Sequence, residues 1–219
     1  MEVAPSVHAV PLSGSNAFLI VEDELTLIDA GHRGSGRTLA RYLAHIGRDM
    51  KEVRRIVCTH GHPDHIGGVP EIARASGAQV LMHPADMERL RIRLRDVFRG
   101  RPTPGPIIAY LTQAPSDAAP IGDGDVLPAL GGLRVIHTPG HTPGSVCLYA
   151  PDRRLLIVGD LLQRMRGAVT YPNAFFTDDM ATARRSIARL AELDVETILF
   201  SHYPAVREGA HEALKALAG

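Results

Sequence analysis

Short apolar runs of four or five residues alternate along the chain with longer stretches in which apolar positions recur every three or four residues. The first kind reads as buried strands and the second as amphipathic helices. Residues 17–21 and 25–29 are two such strands, joined by the polar turn Glu22, Asp23, Glu24. Leu39, Tyr42, Leu43 and Ile46 sit at helical spacing within 38–47, with Gly47 placed to end that helix. Residues 55–59 form a compact strand, 69–76 a helix stopping near Gly77, and 80–82 a further strand. Later strands fall at 133–136, 145–149, 155–158 and 197–200, with helices over 179–193 and 208–217.

Residues 84–120 break this rhythm. Met87, Leu90, Leu94, Val97 and Phe98 keep a helical stripe, and then five prolines surround the apolar run Ile107 to Leu111. The segment reads as a lid-like insertion in a single α/β domain spanning 1–219. Six arginines between Arg89 and Arg101 fit a solvated helix face or a site for an anionic substrate. The amphipathic lid helix would also suit a homodimer contact.

Composition narrows the function classes. Twenty-four basic residues balance 24 acidic ones, so no basic excess points to nucleic acid. No apolar stretch approaches the roughly 18 residues that span a bilayer, and the N-terminus lacks the basic and apolar regions of a signal peptide. The expectation is a cytoplasmic protein with a small-molecule substrate and no nucleic-acid or membrane partner. Cys58 and Cys147 lie in apolar runs and read as buried, inert thiols. Eleven histidines stand out, because histidine is the commonest metal ligand.

Six of them fall in one recurring pattern, in which an apolar strand stops and potential ligands follow. Residues 55–59 run into His60-Gly61-His62-Pro63-Asp64-His65. Residues 133–136 lead to His137 and His141, 155–158 to Asp160, and 197–200 to His202. Ligands of layered α/β proteins collect at the carboxyl ends of strands, so these ends can converge. His60 and His62, two apart in extended backbone, project to one side and can share a metal. Asp64 and His65 can aim at a second, and Gly67-Gly68 lets a helix begin close by.

The His60-x-His62-x-Asp64-His65 cluster followed by Gly67-Gly68 resembles the signature of the metallo-β-lactamase-fold hydrolases. Leu27 to Gly31, Asp123-Gly124-Asp125, Thr138 to Ser145, Asp160 and His202 extend the likeness over most of the chain. The resemblance implies an αββα sandwich of two mixed sheets with helices on the outer faces. It implies two zinc ions, with iron, manganese or cobalt as other occupants. His60, His62 and His141 would bind the first, Asp64, His65 and His202 the second, and Asp160 would bridge them. Two divalent ions, two carboxylates and a hydroxide would leave a local charge of about +1. Asp29 and His32 are candidates for supporting the ligands, although an Asp after a strand also serves structure alone.

The chemistry implied is attack by a metal-bound hydroxide, with Asp64 passing a proton to the leaving group and Asp160 holding both metals. Among substrates, the resemblance favours a small ester, thioester or lactone, similar to the acyl-homoserine lactonase branch. Only 17 residues follow His202, which argues against the helical glutathione-binding region of glyoxalase II. β-Lactam or phosphodiester hydrolysis, a mononuclear iron persulfide dioxygenase and a redox role in a larger assembly are the alternatives. Tyr110, Tyr171 and Tyr203 are candidate substrate contacts. His8, His45, His83, His137 and His211 have no assigned role, with His137 and His32 closest in sequence to the candidate site.

Overall fold

The computed structural model describes residues 1–91, 112, 115 and 117–219. Strands β1 (Glu2–Ala4), β2 (Val7–Pro11), β3 (Asn16–Val21) and β4 (Leu25–Ile28) run antiparallel. Helix α1 (Gly36–His45) leads over to β5 (Val53–Val57), parallel to β4. The single turn α2 (Pro63–Ile66) and α3 (Val69–Ser76) precede β6 (Gln79–Met82), and α4 (Pro84–Arg89) precedes β7 (Ala119–Pro120). These seven strands form one mixed sheet in sequential order.

The second sheet has five strands: β8 (Val126–Leu127), β9 (Leu133–His137), β10 (Val146–Ala150), β11 (Leu155–Ile157) and, after an excursion, β14 (Thr197–Leu199). Its order is β14-β11-β10-β9-β8, with β11 and β14 parallel and the other pairs antiparallel. Between β11 and β14 lie the small hairpin β12 (Gln163–Met165) and β13 (Ala168–Thr170), then helix α5 (Met180–Leu190). Helix α6 (Ala210–Ala218) closes the chain.

Strand alternation explains why these sheets stack. In β3, Phe18 and Ile20 face the second sheet while Ala17 and Leu19 face the helices, and all four are buried. In β10, Val146 and Leu148 meet the first sheet, whereas Cys147 and Tyr149 meet α5 and α6. Helices α1 and α3 seal the first sheet with Leu39, Leu43, Val69 and Ile72. Helices α5 and α6 seal the second with Ala183, Ile187, Leu190 and Leu214. The result is an αββα sandwich with one apolar layer between the sheets and one between each sheet and its helices.

Some expectations shift. Helix α3 begins directly after the glycines, with Gly68 as its N-cap residue, and an additional helical turn opens earlier, at Pro63, with His62 as its extended N-cap residue. Gly67 and Gly68 also allow a close approach: a Cβ on Gly68 would sit 2.3 Å from the Ala30 carbonyl oxygen. Strands β1, β2, β12 and β13 give no clear apolar run, because they are short edge or hairpin strands with polar positions. The solvated-face reading fails for Arg89, whose side chain is only 10% exposed, while Arg91 is exposed beside Glu88. Cys58 and Cys147 are free and fully buried, and burial pushes Cys147 up to about 12. No helix among the described residues is long and apolar enough to cross a membrane. The run Ile107 to Leu111, Tyr110 included, and most of the expected lid lie outside the described residues.

Candidate metal centre

Four strand ends deliver the seven expected ligands to one edge of the sandwich. His60, His62, Asp64 and His65 follow β5, His141 lies between β9 and β10, Asp160 follows β11, and His202 follows β14. His62 Nδ1 lies 3.0 Å from both His60 Nε2 and His141 Nε2. Tetrahedral ligands at metal–nitrogen bonds of about 2.0–2.1 Å are roughly 3.4 Å apart, close to this spacing. Beside this trio, His202 Nε2 is 3.3 Å from Asp64 Oδ2 and 3.2 Å from Asp160 Oδ2. His65 Nε2 is 3.6 Å from Asp64 Oδ2 and 3.4 Å from Asp160 Oδ1.

Three overlapping groups could each hold a cation: His60, His62, His141; Asp64, His65, His202; and His60, His65, Asp160. Asp160 also reaches the first group, with Oδ2 3.7 Å from His141 Nε2. Its carboxylate thus lies within 3.7 Å of His65, His141 and His202. Two buried polar atoms test the fit. His65 Nε2 and Asp160 Oδ1 have no hydrogen-bond partner among the described residues, a costly state for buried polar groups. A divalent cation between imidazole and carboxylate would satisfy both, so the residues present fit a metal centre.

The surrounding hydrogen bonds choose the tautomers. Thr59 Oγ1 donates to Asp29 Oδ2 at 2.7 Å, so at 3.1 Å it accepts from His60 Nδ1 and leaves His60 Nε2 bare toward the centre. Thr177 Oγ1 donates to the Asn173 carbonyl and accepts from His141 Nδ1 at 3.3 Å, with the same result for His141 Nε2. His65 Nδ1 donates to Asp29 Oδ2 at 2.7 Å, freeing its Nε2. Such outer partners set ring orientation and ligand basicity. Asp29, at a left-handed φ of 59°, also accepts from the Thr59 amide at 2.8 Å, so one carboxylate fixes the His60 loop and the His65 ring.

Electrostatics separate the two groups. Burial, then the neighbouring imidazoles, holds His60 far below its ordinary range and His62 at about 2. Burial also takes His141 down to about 4, against the pull of Asp160. All three are neutral at physiological pH, the form that binds metal. His202 moves the other way, to about 9, through hydrogen bonds to Asp160 and Asp64. Burial opposes a charge on His65, but Asp160 and Asp29 raise it well above its usual value. Asp64 falls to about 2 because the His202 hydrogen bond and His65 outweigh its burial.

Sequence reasoning missed Asp86. This fully buried carboxylate on α4 accepts from the amides of Gly61 (2.6 Å) and Gly144 (2.7 Å) and from Thr142 Oγ1 (2.7 Å). It ties the loop of His60 and His62 to the loop of His141. Its one sequence signal is an acidic residue four positions before the buried Leu90, on the apolar stripe of its helix. Gly159 is needed beside Asp160: its φ is +53°, and a Cβ there would lie 2.9 Å from Thr59 Oγ1.

The centre opens into a cavity of about 460 Å³ whose walls include Pro63, Leu162, Phe176 and Tyr203, with His32 at the rim. Tyr203 therefore lies where a substrate contact was expected. Tyr171 does not: its hydroxyl donates to the Leu217 carbonyl at 2.6 Å and Arg184 covers its ring, so it anchors α6. His137 stacks on His83 with ring centres 3.9 Å apart and bonds the Pro143 carbonyl, outside the cavity wall. His8 pairs with the Tyr42 hydroxyl, His211 with the Leu193 carbonyl, and His45 ends α1.

Comparison with known proteins agrees with this architecture. The chain is 30% identical to the probable metallo-hydrolase YflN of Bacillus subtilis, over 92% of this chain and 85% of that one. It is 32% identical to the human acyl-coenzyme A thioesterase MBLAC2, over 76% of this chain and 65% of the relative. The metallo-beta-lactamase family protein TTHA1429 from Thermus thermophilus superposes with a TM-score of 0.77 at 23% identity, covering 99% of this chain and 79% of that structure. Residues 10–202 match the pattern of one superfamily. The chain belongs to the metallo-beta-lactamase superfamily.

Proposed function

We propose that this metallo-hydrolase cleaves a small-molecule carboxylic ester, thioester or lactone at a dinuclear zinc centre. The observation that carries the reading is the placement of seven convergent ligand side chains at the base of a cavity with largely apolar walls. His60, His62 and His141 would hold one ion and Asp64, His65 and His202 the other, with Asp160 shared. When bound, such ions lower the pKa of water to about 7 and polarise a carbonyl.

The protein's own groups complete the reaction. Asp64 is part of the cavity wall and sits at its margin with an exposure of 24%, placed to pass a proton to the departing alkoxide or thiolate. The Tyr203 hydroxyl makes no hydrogen bond among the described residues and is free to donate to a substrate carbonyl. Leu162 and Phe176 add apolar surface to the wall beside the centre. Thioesters come first among the three classes, because a relative at 32% identity is named an acyl-coenzyme A thioesterase. The free, buried cysteines suit a reducing compartment such as the cytoplasm.

The test is a hydrolysis screen of the metal-loaded protein over thioesters, simple esters, lactones, phosphodiesters and a chromogenic β-lactam, alongside metal analysis. Thioester or ester turnover with two zinc ions per chain supports the reading. Turnover confined to the phosphodiester or β-lactam would refute it, as would a single iron consuming oxygen with a persulfide.

A further inference from the structure

A second cavity, of about 410 Å³, adjoins the first and shares two of its wall residues, His202 and Tyr203. It lies where the two sheets part at their edges. Val3 of β1, Ala9 of β2 and Phe18 of β3 supply one side, and Leu199 and Phe200 at the end of β14 supply the other.

The polar side chains in its wall are already engaged. Arg207 donates to the Val3 carbonyl at 2.9 Å, and Asn16 Nδ2 donates to the Ser201 carbonyl at 3.1 Å. His202 turns Nε2 toward Asp64 and Asp160. What the cavity offers a ligand is mainly apolar surface, with the remaining guanidinium donors of the exposed Arg207 at its wall. Tyr203 stands between the two spaces, its ring edge-on to Phe200 at 6.4 Å. His202 and Tyr203 are the wall shared by the two spaces, so the second cavity lies one side chain away from the ligand cluster.

We propose that the second cavity is the acyl-chain subsite and that the substrate carries an unbranched hydrocarbon chain. The inference rests on the ester or thioester reading and narrows it. The carbonyl sits at the metal centre, the chain passes Tyr203, and its tail packs between Phe18, Leu199 and Phe200. A chain placed there leaves the Leu162 and Phe176 side of the first cavity for the leaving group.

Two substitutions narrow the cavity without touching the ligands: Ala205→Phe and Ala9→Phe, both at partly buried wall positions. Turnover is measured on p-nitrophenyl esters from acetyl to decanoyl, and binding of a fluorescent fatty acid is measured on the metal-free proteins. In the parent, kcat/KM should rise about fourfold per added methylene until the cavity is full. Both variants should retain acetyl turnover, which also reports folding, and lose at least about tenfold on decanoyl ester and on fatty-acid binding. A chain-length profile that is flat, or equal losses on acetyl and decanoyl esters, overturns the subsite. If no ester of any length is cleaved, simple esters leave the proposed substrate class, and the binding arm alone decides the subsite. Fatty-acid binding lost in both variants upholds it, and binding unchanged by either rejects it.

Discussion

The Asp86 carboxylate accepts the Gly61 amide at 2.6 Å and so fastens a helix without ligands to the loop that presents His60 and His62. The same carboxylate holds Thr142 and Gly144 beside His141. Replacing Asp86 with Ala leaves the Gly61 and Gly144 amides unsatisfied, at about 1–3 kcal/mol for each one that remains buried. The expected outcome is a marked fall in Tm and metal affinity weakened about tenfold to a hundredfold at the three-histidine group. Thermal unfolding and metal titration of Asp86→Ala, with Asp86→Asn as the milder change, measure both.

Asp29→Asn isolates charge from backbone conformation, because asparagine tolerates the left-handed φ of 59° at this position. His65 Nδ1 would then bond a neutral oxygen or face an amide, and its orientation would weaken. Affinity for the ion held by Asp64, His65 and His202 should fall about tenfold or more, with smaller changes at the three-histidine group. Competition against a chromogenic chelator resolves the two sites.

Asp160→Asn removes the carboxylate placed between the two groups. Zinc content should drop from two per chain toward one, and turnover should fall by at least about a hundredfold. Elemental analysis after gel filtration checks the first figure and steady-state kinetics the second. Full zinc occupancy in the variant would show that the carboxylate does not bridge.

The two groups should also differ in their response to pH. His62 at about 2 and His141 at about 4 are already neutral at pH 6–8, so the first ion displaces few protons there. His202 at about 9, together with the raised His65, must lose protons before the second ion binds. That ion should bind about tenfold more tightly per pH unit, or more, up to about pH 9, with about one to two protons released. Calorimetry in buffers of different ionisation enthalpy counts those protons.

The raised His202 also links metal-free stability to pH. A histidine lifted from 6.5 to about 9 contributes stability that is fully present below pH 6.5 and lost as pH rises through about 9. Metal-free protein should therefore unfold at lower temperature at pH 9.5 than at pH 6, and zinc should abolish that trend. Melting curves with and without chelator test it.

The ligands were legible because each breaks an apolar strand pattern with a residue that packing alone does not require. His60, His62, His65, His141, Asp160 and His202 all follow such runs. Asp29 was legible only as one of two readings, since the sequence does not show that His65 folds back over it. Asp86 was hidden because its partners are two amides and a hydroxyl from segments distant in sequence. The same limit explains Tyr171, which looked like Tyr203 until the fold placed it against α6. Strand β2 lacked a signal because His8 and Pro11 interrupt its pattern, and the edge strand β1 because it is only three residues long.

The distribution of ligands between the sheets has a consequence for assembly. His60, His62, Asp64 and His65 extend from the seven-stranded sheet, and His141, Asp160 and His202 from the five-stranded one. Neither half of the molecule supplies all the members of the His60, His62, His141 group or of the Asp64, His65, His202 group, so an ion held by either would act as a rivet across the seam. A bound ion would then report that both halves have docked in register.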